Sequence, residues 1–137
     1  MKALTRRIHS DERGLVGKIA IVWIVIMALV AVFVLDGISI VTAKYRVADA
    51  AGNAASEAAY TYKQTLKIAS ACARAEEIVH EEDPVARIPL EGCFVNLQDG
   101  SVTITVKKLA STILVKRINF LVDLAKASAT ETAPAPI

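Results

Sequence analysis

Between Lys18 and Asp36 lies IAIVWIVIMALVAVFVL, seventeen consecutive residues without a polar side chain. At about 1.5 Å per residue, a helix through this run separates Lys18 from Asp36 by about 27 Å, close to the hydrocarbon thickness of a bilayer. The other reading is a buried core helix. A chain of 137 residues has room for one small domain and little apolar surface with which to enclose one. The run therefore predicts a transmembrane helix over residues 19–41. Lys18 and Asp36 are expected at its edges, with Gly37 to Val41 continuing into the headgroup layer.

The flanks orient the span. Lys2, Arg6, Arg7, Arg13 and Lys18 precede it, against Asp11 and Glu12, whereas only Lys44 and Arg46 lie just beyond it. Basic flanks stay on the cytoplasmic side, so segment 1–18 is expected inside and the chain from Thr42 onward exported. Val41-Thr42-Ala43 fits a signal-peptidase site weakly. The apolar stretch is longer than a usual signal-peptide core, and helical periodicity continues past Ala43, which predicts an uncleaved signal-anchor. The net charge of +2 is too small to argue for nucleic acid. Membrane lipid is the partner that the span implies.

Residues 42–83 are rich in alanine and charged residues, good helix formers, and read as one exported helix continuing the span. Val47, Ala51, Ala54, Ala58, Tyr62, Leu66, Ala69 and Ala73 recur at three- and four-residue steps and form a narrow stripe. Small side chains admit a close neighbour, so Ala51, Ala54 and Ala58 are the expected helix-packing positions. That neighbour is either this chain's own C-terminal sheet or another subunit, and periodicity does not separate the two. Pro84 and Pro89 end the helix within HEEDPVARIP. No second histidine lies near His80, Glu81, Glu82 and Asp83, so this acidic helix end reads as solvated and not as a metal site.

Residues 90–133 change period and predict a small β-rich head. CFVNLQDGSVTITV reads as two short strands, with Asp99-Gly100 as the hairpin signal and Val102, Ile104 and Val106 on one face. STILVKRINFL reads as a short amphipathic helix or a bend, VDLAKASATET as a third strand, and the tail 134–137 as disordered. The fold class is thus α+β: a long N-terminal helix followed by a small antiparallel sheet. Cys72 and Cys93 both fall in the exported part, where disulfides persist, and a bond between them would tie the long helix to the first strand.

The exported part has one histidine, with no spaced nucleophile–base pattern, no glycine-rich phosphate loop, no H-E-x-x-H and no C-x-x-C. Glu57, Glu76 and Glu77 sit on the alanine-rich helix, where a solvated face accounts for them. No enzyme, cofactor, metal or small-molecule substrate is expected.

A basic N-terminus ending in ERG, an apolar span broken by Asp36, and AKYRVADAAGNAASEAA together resemble the N-terminal half of TadE/TadG-like proteins of bacterial tight-adherence (Flp-type) pilus systems. SVTITV, the hydrophobic bend and ASATETA are similar to the C-terminal strands of that family, so the resemblance runs from about Glu12 to Ala133. It implies a pilin-like or pseudopilin subunit, a helical stalk bearing a small exported head, in contact with other pilus or secretion-apparatus subunits through the alanine-rich helix. Processed pilins carry a Glu five residues after the cleaved Gly. Here those positions are Ile19 after Gly14 and Val22 after Gly17, which fits the unprocessed, TadG-like branch. Asp36 stands where that branch often has an acidic residue. An anchored extracytoplasmic binding module and a small membrane-active regulatory protein are the two other readings of this layout.

Overall fold

Helix α1 (Lys2–Thr65) carries the apolar run and continues past Asp36 into the alanine-rich segment. The structure, a computed structural model, describes the backbone of residues 2–137 and the side chains of residues 14–137; the basic cluster Lys2, Arg6, Arg7 and Arg13 lies outside those side chains. No proline interrupts the helix, and Gly37 and Gly52 stand singly among good helix formers. The chain divides between Leu35 and Asp36 into two units. In the first, the described apolar side chains are nearly all uncovered, Trp23 for example being 61% exposed. A helix this long and apolar is compatible with a single-pass membrane anchor.

In the second unit α1 becomes a packed helix. Val47, Ala50, Ala51, Ala54, Ala55, Ala58 and Ala59 are all fully buried or nearly so. They occupy two adjacent ridges, so the apolar face is broader than the narrow stripe predicted.

The helix does not run on to Glu82 as expected. It ends at Thr65, Leu66 takes a left-handed φ of 54°, Lys67 is extended, and α2 (Ile68–Glu82) begins. The Leu66 N–H still donates to the Tyr62 carbonyl at 2.7 Å, and the Thr65 hydroxyl accepts the Lys67 N–H at 3.2 Å, so the reversal leaves both donors satisfied. α2 then folds back antiparallel along α1: Asn53 donates to Glu82 at 2.6 Å, and Arg74 approaches Glu57 to 3.7 Å. The break re-phases everything after it. Ala71, Ala75 and Val79 are the buried positions of α2, whereas Leu66, Ala69 and Ala73, expected in the stripe, are exposed.

Three antiparallel strands complete the unit: β1 (Cys93–Val95), β2 (Val102–Leu109) and β3 (Lys126–Ala133), in that spatial order. Val95 pairs with Val102 across the loop 96–101, where Gly100 adopts a φ of 71° that suits glycine and donates to the Asn96 carbonyl at 2.8 Å. Val102, Ile104 and Val106 point inward and are completely buried, as alternation predicts. On the outer face, threonine hydroxyls pair across strands at 2.8 Å, Thr103 with Thr132 and Thr105 with Thr130. The inner face joins the alanines of α1 and α2 in one core cluster.

Between β2 and β3 the predicted amphipathic bend is a 3-10 turn (Val115–Arg117) followed by a short helix α3 (Val122–Ala125). The third strand therefore starts at Lys126, four residues later than VDLAKASATET suggests. Ala125 is fully buried, and its carbonyl accepts the Ala110 N–H at 2.7 Å, which closes the loop before the strand begins. The tail has contacts of its own, with the Pro136 carbonyl accepting from the Lys63 ammonium at 2.7 Å.

Candidate functional site

Asp36 follows directly on the apolar run, yet it is only 2% exposed. Its Oδ1 accepts the Ile113 N–H at 2.6 Å, and its Oδ2 accepts the N–H groups of Leu114 at 2.8 Å and Val115 at 3.0 Å. Ser39, one helical turn on, donates its hydroxyl to the Ser111 carbonyl at 2.6 Å. The local cause is clear: residues 113–115 enter a 3-10 turn, whose first N–H groups have no partner within the turn. A carboxylate is the strongest acceptor that a side chain offers them, and three donors offset the cost of burying it. Thr112 adds one more hydrogen bond to the loop, its hydroxyl accepting the Lys116 N–H at 3.1 Å. Asp36 is folded into the head and clamps the β2–β3 loop. Both of its oxygens are engaged by backbone donors.

A second restraint is the disulfide between Cys72 and Cys93, with Cα atoms 5.9 Å apart. It joins α2 to β1. The expected tie to the long helix is corrected by the break at Leu66, which makes Cys72 part of a separate helix.

Asp83 is the third restraint. Expected in a solvated helix end, it is 6% exposed, accepts the Val85 N–H at 3.1 Å and pairs with the Lys108 ammonium of β2. Burial pushes its carboxyl upward, but the Lys108 ammonium and the Val85 N–H outweigh that and hold it below the ordinary value. Its neighbour Glu82 is engaged by Asn53. Lys18 is exposed in the first unit.

Ala51, Ala54 and Ala58 are completely buried within this one chain. Of the two neighbours left open by the sequence, the chain's own core takes these positions, so this alanine face is not available to another subunit.

The sequence reading missed the partners of Asp36 and Asp83. Backbone donors carry no residue-type signal, and Lys108 is 25 residues from Asp83. A carboxylate at the end of an apolar run was the visible half of the clamp. Among known proteins, the chain matches no family model, no curated protein and no solved structure.

Proposed function

We propose that the protein is a non-enzymatic, membrane-anchored, pseudopilin-like component that takes part in assembling a tight-adherence (Flp/type IV-like) pilus or a related secretion apparatus. One observation carries this reading: α1 is apolar and largely exposed from Ile19 to Leu35, and from Asp36 onward it packs into a disulfide-bonded α+β unit. That is the stalk-and-head plan which the resemblance to TadE/TadG-like proteins implies. The N-terminus lies in the cytoplasm and the head is exported, where Cys72 and Cys93 can oxidise. The non-enzymatic character is supported by the use of Asp36 and Asp83, the two buried carboxylates among the described residues, in holding the fold.

With the alanine face used internally, other subunits meet the exposed side of α1, where Tyr45 is 70% and Tyr60 53% exposed. Deleting the gene is expected to abolish or sharply reduce surface pili and adherence while leaving growth unchanged. Normal pili in the deletion strain, together with neighbouring genes that encode no secretion ATPase or prepilin peptidase, would refute the assembly role.

A further inference from the structure

The β2–β3 loop carries exposed apolar bulk that the fold does not use. Ile113 is 54%, Phe120 81% and Leu124 56% exposed, while Thr112, Val115 and Ala125 of the same loop are buried. The loop is therefore seated on its own core and presents its largest side chains to the outside. Its charge has one dominant sign: residues 107–126 contain Lys107, Lys108, Lys116, Arg117 and Lys126 against the single acid Asp123. Asp123 is neutralised by Lys126 at 2.6 Å and Lys108 by Asp83, and the buried Asp36 carboxylate bonded to the loop partly offsets Lys116, so the basic excess rests on Lys107, Arg117 and what remains of Lys116. Arg87 and Lys107 line an open cleft at the adjoining end of the hairpin and extend the basic surface.

Position supplies the partner. Ile113, Leu114 and Val115 are bonded to the Asp36 carboxylate, and Asp36 is the residue immediately after the apolar run. If residues 19–35 lie in a bilayer, the loop begins at the bilayer surface by covalent connection alone. Exposed Phe and Leu beside Lys and Arg is the composition of an interfacial segment, whose apolar groups enter the headgroup–acyl boundary and whose cations meet anionic headgroups.

We propose that the loop 111–124 docks on the bilayer surface next to Asp36, with Phe120, Ile113 and Leu124 inserted at the boundary and Lys116 and Arg117 held by anionic lipid headgroups. The anchor of this protein then has two parts, a spanning helix and a surface foot joined by Asp36. This rests on the membrane reading of the apolar run and is independent of the pilus role.

The test uses the full chain, disulfide intact, in vesicles of phosphatidylcholine and phosphatidylglycerol. An environment-sensitive fluorophore is placed on a cysteine introduced by Ile26→Cys, Phe120→Cys or Leu97→Cys, in separate proteins. The expected result is deep-nitroxide lipid quenching at position 26, headgroup-nitroxide quenching with a blue shift at position 120, and neither at position 97. Lys116→Glu with Arg117→Glu, or vesicles of phosphatidylcholine alone, should at least halve the quenching at position 120. Quenching at 26 with none at 120 overturns the foot and leaves the span intact. No quenching at 26 removes the span, and the foot with it. Shielding at 120 that follows protein concentration and not lipid composition assigns the surface to a second copy, which also overturns the proposal.

Discussion

The Asp36 carboxylate accepts the backbone N–H of Val115 at 3.0 Å across a sequence separation of 79 residues, which ties the α1 residue that opens the second unit to the β2–β3 loop. Shortening this side chain would leave three N–H groups without their carboxylate partner, that of Val115 buried and those of Ile113 and Leu114 partly buried. Asp36→Ala is expected to abolish hydrogen-exchange protection of the Ile113, Leu114 and Val115 amides and to lower the melting temperature of the protein in detergent. Asp36→Asn keeps one acceptor oxygen and should lose protection only in part, because its amide NH₂ faces donors. Unchanged protection in Asp36→Ala would show that the clamp does not hold the loop.

Reducing Cys72–Cys93 releases a loop with a sequence separation of 21 residues. In the chain-entropy model that is worth about 3 kcal/mol, a large share of the stability of a small domain. Urea unfolding with and without reductant should show a loss of that order. Mass spectrometry of a non-reducing digest should first show the linked peptide pair two hydrogen atoms lighter than its reduced form, and two alkylatable thiols in freshly extracted protein would contradict the bond.

Asp83 predicts an acid dependence. Its folded pKa is lowered, so its contribution is fully present above the ordinary carboxylate value of about 3.9 and is lost as pH falls through the lower folded value. The exposed Asp99 and Asp123 are shifted in the same direction. Asp83→Asn should cost about 2 kcal/mol at neutral pH and flatten the decline in stability below pH 4. A variant that keeps the wild-type acid transition would place the responsible carboxylate elsewhere.

Leu66 holds a left-handed conformation without the freedom of glycine, and its side chain is 76% exposed. Glycine there relieves the backbone cost, loses little burial, and gives back part of the gain as unfolded-state entropy. Leu66→Gly should therefore stabilise the protein by about 0.5–1 kcal/mol, and Leu66→Val should destabilise it. Equal melting temperatures for the two variants would mean that the turn is not strained at this residue.

Legibility follows from which interactions are local. Seventeen apolar residues announce a helix long and apolar enough to cross a bilayer, and Val102, Ile104 and Val106 announce a strand with one buried face, because each pattern is written in consecutive side chains. The reversal at Leu66–Lys67 was illegible, since neither Gly nor Pro marks it and the Thr65 hydroxyl that supports it is an ordinary helix residue. With that break unseen, the stripe was carried too far, to Ala69 and Ala73. The two cysteines were readable as a pair from compartment and number alone. The Asp36 and Asp83 sites were not, because their partners are backbone amides and a lysine brought close only by the completed fold.

The alanine face supplies the last prediction. Ala51, Ala54 and Ala58 have no exposed surface in this chain, and they face a core that includes α2 and the inner side of β2. Three added carbons at Ala54 must displace packed neighbours, a change that costs about 1–3 kcal/mol in a close-packed interior. Ala54→Leu should therefore lower the melting temperature of the isolated full-length protein in detergent, with no other subunit present. A contact surface for a partner would behave in the opposite way, leaving the isolated protein unchanged and failing only in assembly. Substitution on the exposed side of α1, Tyr45→Ala or Tyr60→Ala, gives the complementary measurement: near-wild-type melting with reduced pili. If Ala54→Leu melts like the wild type while assembly is lost, the alanine face belongs to a neighbour after all.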